Sequence, residues 1–385
     1  VRHWADGVAE EHQRRGQDRD GGGGDPESEP DPRRHRGHGT AARRYPAGMG
    51  RLVLEAHAKV NLALSVGAPH ADGPMSGMHP IASWMAPVEL SDTVEIATLA
   101  SGSEARVEIV GDGVRVNWLV ANDLTLRAVR ALENETGRPL PVGVRVTKRI
   151  PAGGGLGGGS SDAAAVLRGV DALLGHGHGL GVGPERLRAI GASIGSDIPF
   201  FIDDAVDLET PDGPRRPPRP ALVGGLGGEI ERLEPISGDL VLICPPFGCP
   251  TGEVYRAFDG LLEARHGGPD RGVADEAPRA ADVERLASAR AIPAPDDASG
   301  LFNDLEAAAY RVRPELGSLA RSVRELLGGA AVRLSGSGST LFVFGGVEAA
   351  GRINDAAGGL LPAGTRAVAT RLAGADAAAG VGRDG

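Results

Sequence analysis

The chain has 385 residues, 60 of them glycine, and a formal net charge of −10 at pH 7. That length predicts two domains around a core of ordinary size, and the acidic balance excludes a nucleic-acid binder that works through a basic surface. No run of about 18 apolar residues is present, which excludes a spanning helix, and two cysteines, Cys244 and Cys249, make neither a disulfide framework nor, without further Cys or His nearby, a zinc site.

Residues 1–48 are polar, highly charged and glycine-rich. Such a segment has too little apolar surface to fold, and Met49 stands directly before the first strand-like stretch. The expectation is a disordered leader or a true start at Met49. The polar beginning carries no secretory signal, and a reduced, cytoplasmic setting fits the two free cysteines.

Alternation predicts strands over 52–58, 60–66, 93–99 and 106–110. A helix over 124–135 is closed by Gly137 and Pro139. A β-branched strand, 142–146, enters a glycine loop, and an alanine-rich helix, 163–174, leaves it. A short helix over 184–194 opens on proline and runs into Gly195-Ser196-Asp197, a turn expected to lead into an apolar strand over 198–202. These elements form a first domain, 50–204. Residues 205–220, proline-rich from 209 on, read as an exposed insertion. A second domain, 221–372, is expected to hold a strand at 240–244, helices at 305–312 and 315–327, and strands at 331–334 and 340–344 around a second glycine loop. The tail, 373–385, reads as disordered. Strands and helices mix without strict βαβ alternation, which predicts an α+β fold and not a doubly wound sheet. His176 and His178 sit in a glycine-rich helix exit without a third ligand, so no metal site is expected there.

The segment from Lys148 through Arg149, Ile150, Pro151, Ala152, Gly153, Gly154, Gly155, Leu156, Gly157, Gly158, Gly159, Ser160, Ser161 and Asp162 carries the chemistry. Glycine lets backbone approach a ligand closely. The helix that follows offers unpaired N–H groups and the positive end of a dipole. Together they form a phosphate site. A flexible linker would lack the ordered apolar flanks and the Ser-Ser-Asp capping chemistry. It is not the Gly-Lys-Ser/Thr loop of the common nucleotide triphosphatases, and no acidic residue ends a following strand as a dinucleotide site requires.

Ala58-Lys59-Val60-Asn61-Leu62, the glycine loop, Gly195-Ser196-Asp197-Ile198-Pro199-Phe200 and Leu334-Ser335-Gly336-Ser337-Gly338-Ser339 occur in this order. In that set the chain resembles the GHMP small-molecule kinases over about residues 50–372. More narrowly it resembles their diphosphocytidyl-methylerythritol kinase branch, to which Leu301-Phe302-Asn303-Asp304-Leu305-Glu306 adds a further similar segment. The resemblance implies a two-domain GHMP fold with the active site in the cleft between domains. It also implies ATP and Mg2+ as cofactors, and transfer of a phosphoryl group to the 2-hydroxyl of the acceptor.

Phosphoryl transfer needs a cradle for the donor phosphates, an acceptor hydroxyl in line, and help with its proton. The run from Pro151 to Ser161, with Lys148, is expected to bind ATP, and Ser160 and Ser161 to add hydroxyls. Magnesium would be held largely by phosphates and water. Asp197 is the expected base, and Lys59 is expected to stabilise the developing alkoxide. Asn61, two residues along the same strand face, would orient Asp197 or the substrate, or hold a structural hydrogen bond. Asp162 reads as a first-turn acid that stabilises the helix.

For the acceptor, the family's Gly-Tyr-His signature has its match in Gly77-Met78-His79. His79 is expected to meet a base edge, Met78 to pack on the ring, and Tyr255 to form the other wall, with Thr251 nearby. Gly336, Ser337 and Gly338 are expected to form a second backbone nest, which the resemblance places near the substrate diphosphate. Two alternatives stay open from the residues: a GHMP kinase for another small alcohol, and a non-catalytic nucleotide-binding module on this fold. The expected partners are small molecules, with neither nucleic acid nor membrane.

Overall fold

The structure is a computed structural model that describes residues 50–178, 181–204, 217–265, 277–289 and 300–373. The expected leader, residues 205–216 of the expected insertion, the side chains of His176 and His178, and the tail from 374 lie outside the described residues.

Strand β1 (Arg51–Val66) is continuous where the sequence predicts two strands. It pairs antiparallel with β2 (Ile81–Thr98), and pairing irregularities fall between His57 and Lys59 and between Asn61 and Ala63. Such irregularities re-aim side chains and often lie beside active sites. On its other edge β2 holds β4 (Val142–Lys148) at one end and β5 (Ala221–Gly225) at the other. β3 (Arg106–Gly111) adds to β4 in parallel, and β6 (Glu229–Arg232) adds to β5. The first sheet therefore takes in two strands from beyond the expected boundary at 221. A second, antiparallel sheet has the order β10-β7-β9-β8, from β7 (Asp239–Cys244), β8 (Arg333–Leu334), β9 (Leu341–Phe344) and β10 (Arg366–Arg371).

Burial alternates along the strands as a two-residue period requires. Val241 and Ile243 join one apolar cluster, while Leu240, Leu242 and Cys244 join another. The second cluster also holds Val60, Leu62, Trp84 and Phe342, so the two sheets share a core. Helices α1 (Leu124–Thr136), α2 (Gly158–His178) and α3 (Pro184–Ile194) lie on the first sheet. On the far face of the second lie α4 (Thr251–Arg265), α6 (Glu306–Val312), α7 (Pro314–Leu326) and α8 (Val347–Ala356); α5 (Ala280–Ala289) packs into the shared core. The fold is α+β, and residues from Gly50 onward form one unit. Within that unit the two sheets are joined through the shared core.

Three local expectations are corrected. Residues 198–202 form a 3-10 turn at Pro199–Phe201, not a strand, because Pro199 has no N–H for a ladder and the chain closes through Phe201 N–H to Ile198 O at 3.0 Å. α2 begins at Gly158, five residues before the alanine run, since free N–H groups at a helix start tolerate glycine when a ligand or water takes them. The end of the expected exposed insertion is packed: Pro217, Pro218 and Pro220 are buried, and Arg219 forks onto Asp203 at 2.8 and 3.0 Å.

Candidate active site

Lys59 and Asn61 project from the same face of β1 and are both buried. Lys59 Nζ donates to Asn61 Oδ1 at 2.6 Å, Asn61 Nδ2 donates to Ser83 Oγ at 2.8 Å, and Ser83 Oγ donates to Ala63 O at 2.8 Å. Each donor in this chain has one acceptor in place, so the ammonium is fixed without a mobile side chain. Lys59 Nζ also lies 3.5 Å from Asp197 Oδ2. The Asp197 side chain is 29% exposed against 3% for Lys59, which makes the carboxylate the member of the pair open to a reactant.

The turn carrying Asp197 is braced from behind. Ile198 is buried in the first core. Arg232 Nη2 donates to Phe200 O at 2.7 Å and to Ile202 O at 2.9 Å. Burial pushes the Arg232 guanidinium down to about 10, offset in part by Asp203. The β5–β6 turn sits directly on Ser196, where a Cβ on Gly227 would fall 2.4 Å from Ser196 O.

The glycine loop passes beside Lys59. The Lys59 N–H donates to Leu156 O at 2.9 Å, and the Leu156 side chain is buried in the shared core, so the loop is pinned at its middle. Gly157 O accepts the first helical bond of α2, from Ser161 N–H at 2.8 Å. The N–H groups of Gly158, Gly159 and Ser160 therefore have no carbonyl within the helix to bond. Gly159 is exposed and Ser160 half-buried. A Cβ on Gly195 would lie 3.9 Å from Ser160 Oγ, which places that hydroxyl beside the Asp197 turn. Ser161 is buried, Pro151 is half-buried, and Ala152 and Gly153 are exposed at the outer end of the loop.

Lys148, expected at the ATP site, is buried in an ion-pair knot at the start of the glycine loop. Its ammonium is buried between Asp92 and Asp162, within 2.5 Å of Asp162 Oδ2. Asp92 Oδ1 also accepts the Ile150 N–H at 2.8 Å. Burial alone would lower the Lys148 pKa, but the two carboxylates overcome it and hold it above its usual value. Burial drives Asp162 well above the usual carboxylate range, against the pull of Lys148. Two carboxylates share one cation, and the knot clamps the entry and exit of the glycine loop.

In the second sheet's half, α4 brings Thr251, Tyr255 and Asp259 along one face at i, i+4 and i+8. Thr251 Oγ1 and Ser337 Oγ are 3.0 Å apart, joining the helix start to the second loop. The Tyr255 ring lies 4.9 Å from the His79 ring, and burial with the nearby Asp197 charge raises the Tyr255 phenol to about 12. His79, expected to meet a base edge, has protein neighbours at both ring nitrogens. Its Nδ1 is 2.9 Å from Gly67 O and its Nε2 is 3.2 Å from Asp259 Oδ1, so both ring nitrogens face acceptors of the protein itself. Met78 is half-buried beside it.

The two glycine loops touch. Thr340 N–H donates to Gly154 O at 3.1 Å, and Ser335 Oγ donates to Gly155 O at 3.1 Å. Gly155 has φ +74°, and a Cβ there would lie 2.2 Å from Ser335 O, so no other residue allows this approach. Gly338 also has positive φ. No sequence pattern singles out Ser83, Asp92, Asp259 or Arg232. Each lies on a strand or helix far along the chain from its partner and belongs to no local motif.

Residues 123–204 match the family described as GHMP kinases N terminal domain. The 4-diphosphocytidyl-2-C-methyl-D-erythritol kinase of Carboxydothermus hydrogenoformans is 34% identical over 295 residues, covering 76% of this chain and 87% of that protein. The chain belongs to the 4-diphosphocytidyl-2-C-methyl-D-erythritol kinase family. A second member, from Anaeromyxobacter sp. (strain K), is 35% identical over 304 residues, 78% of this chain and 83% of its own. A crystal structure of a 4-(cytidine 5'-diphospho)-2C-methyl-D-erythritol kinase superposes with a TM-score of 0.58 at 31% identity, covering 84% of this chain and all of that one. A mevalonate kinase from L. major shares the fold, with a TM-score of 0.53 at 12% identity over 85% of this chain and 96% of that one.

Proposed function

We propose that this chain transfers the γ-phosphoryl group of ATP to the 2-hydroxyl of 4-diphosphocytidyl-2-C-methyl-D-erythritol, the kinase step (EC 2.7.1.148) of non-mevalonate isoprenoid precursor synthesis. The observation that carries the chemistry is the Lys59–Asp197 pair, 3.5 Å apart between two glycine loops. The acceptor is the one named for relatives about a third identical over most of this chain.

Asp197 accepts the proton of the acceptor hydroxyl as its oxygen attacks. Lys59 stabilises the charge that develops on that oxygen, from a position held by Asn61 and Ser83. The free N–H groups of Gly158, Gly159 and Ser160, at the positive end of α2, receive the donor phosphates. Gly336, Ser337 and Gly338, with Thr251, face the acceptor's diphosphate, and Tyr255 provides a wall for its base. His79 and Asp259 hold that wall in place. Magnesium, when bound with the nucleotide, neutralises phosphate charge, and the Ser160 hydroxyl is the side-chain oxygen that would hold it. No helix among the described residues is long and apolar enough to cross a membrane, and the reading carries with it a cytoplasmic location.

The test is ADP release by the full chain with ATP, magnesium and 4-diphosphocytidyl-2-C-methyl-D-erythritol, set beside mevalonate, homoserine and galactose. Turnover with the first alone is the expected result. Turnover with a different alcohol only would discard the acceptor, and ATP binding without turnover would discard catalysis.

A further inference from the structure

The Leu301–Glu306 stretch stands out in the sequence, and the reaction above gives it no role. In the structure it is sewn to β1, the strand that carries Lys59 and Asn61. Leu64 N–H donates to Phe302 O at 3.0 Å, and Asp304 N–H donates back to Leu64 O at 2.9 Å. Asp304 Oδ2 accepts Ser65 Oγ–H at 2.7 Å and Val66 N–H at 3.1 Å. Between these anchors Asn303, itself buried, points into the second glycine loop.

Asn303 Nδ2 donates to Leu334 O at 2.9 Å and to Gly336 O at 2.8 Å, and its Oδ1 accepts the Leu305 N–H at 2.9 Å. An amide has two donor hydrogens, and both are used on carbonyls that flank Ser335. The Ser335 carbonyl takes the Gly338 N–H at 3.0 Å. The Asn303 amide thus holds the carbonyls on either side of Ser335, while the Ser335 carbonyl lies against Gly155 of the first loop and closes the turn onto Gly338. Gly336 is also the point where this loop meets Lys59 and Asn61. A Cβ there would lie 3.3 Å from Lys59 Nζ and 3.4 Å from Asn61 Oδ1, and its φ of +57° suits glycine.

We propose that Asn303 is a positioning residue for phosphoryl transfer: it ties Gly336 to the strand that carries Lys59 and Asn61, and so sets the loop's distance from the ammonium. The inference rests on the kinase reading above. Replacing the amide by a carboxylate of the same shape removes both donors and sets an acceptor against two carbonyls, which leaves buried groups unsatisfied. A shift of about 1 Å at a reacting centre costs on the order of 10²-fold in rate.

The experiment is a double-mutant cycle on kcat with Asn303→Asp and Gly336→Ala, alongside the KM for ATP. Asn303→Asp is expected to lower kcat by at least about tenfold and to change the ATP KM by less than about twofold. Because it acts through Gly336, adding it to Gly336→Ala should slow the enzyme by no more than about a further twofold. Losses that multiply across the cycle, or a wild-type kcat in Asn303→Asp, overturn the proposal. A purely structural role would lower melting temperature and ATP binding together and would not produce the non-additive kcat. If Asn303→Asp does not fold, Asn303→Ser, which keeps one donor, runs the same cycle with the same criteria. The wild-type chain in the same assay separates the two readings: an active wild type with additive losses removes only the role of Asn303, whereas a wild type inactive on every acceptor removes the kinase reading and the inference with it.

Discussion

Lys59 Nζ stands 3.5 Å from Asp197 Oδ2 while it donates to Asn61 Oδ1 at 2.6 Å, so a buried ammonium is held between a fixed amide and a partly exposed carboxylate. The two side chains come from distant parts of the chain, Lys59 from β1 and Asp197 from the turn after α3. Their spacing depends on the strand irregularities around Lys59 and on the braced turn around Asp197.

Asp197→Asn is expected to lower kcat by about 10²–10⁴-fold, the usual worth of general-base help. ATP affinity, followed by nucleotide titration, should be unchanged, because the free N–H groups of Gly158, Gly159 and Ser160 lie on α2 and keep their geometry. A kcat within threefold of wild type would remove Asp197 from the proton transfer.

Asp92→Ala tests the buried knot at the loop's entry. Asp92 is fully buried, pairs with Lys148 and accepts a backbone N–H from Ile150. Removing one partner of such a pair costs about 3–5 kcal/mol, and urea unfolding should show a loss of that size. An unchanged midpoint would mean that Lys148 is held by Asp162 alone.

His57 gives an acid limb to the stability. Burial lowers its pKa from 6.5, offset in part by its hydrogen bond to Val88 O at 3.0 Å. The unfolded chain therefore takes up this proton at higher pH than the folded protein does. The His57 contribution is present above 6.5 and is lost as pH falls through the lowered folded value. Melting temperature should decline below about pH 6.5, and His57→Gln should flatten that part of the curve. An equal slope in the variant would assign the limb to carboxylates.

The two thiols should be slow. Burial raises the Cys244 thiol to about 11 and raises Cys249 as well. At pH 8 roughly a thousandth of Cys244 is then thiolate, the reactive form. A thiol reagent should label neither cysteine of the folded protein quickly, and both on denaturation. Rapid labelling of one thiol in the native state would contradict its burial.

Features built from residues close together in the chain are legible in the amino-acid sequence. The glycine loop and its helix, the Lys59-Val60-Asn61 spacing and the Asp197 turn each depend on local backbone chemistry. Period-two alternation places Lys59 and Asn61 on one face of a strand, and the 2.6 Å bond between them follows from that. Only the tertiary structure decided who shares charge with whom. Lys148 precedes the phosphate loop in sequence yet turns inward, because Asp92 on β2 and Asp162 on α2 meet it there and a buried cation needs such partners. His79 turns both nitrogens to Gly67 and Asp259 for the same reason. The strands at 221–232 join the first sheet because β2 had an open edge there, which no local pattern records. Sequence alone determined the parts with a local period or a local turn; long-range pairing of buried polar groups set their final roles, since each such group must find a partner wherever the packing brings one.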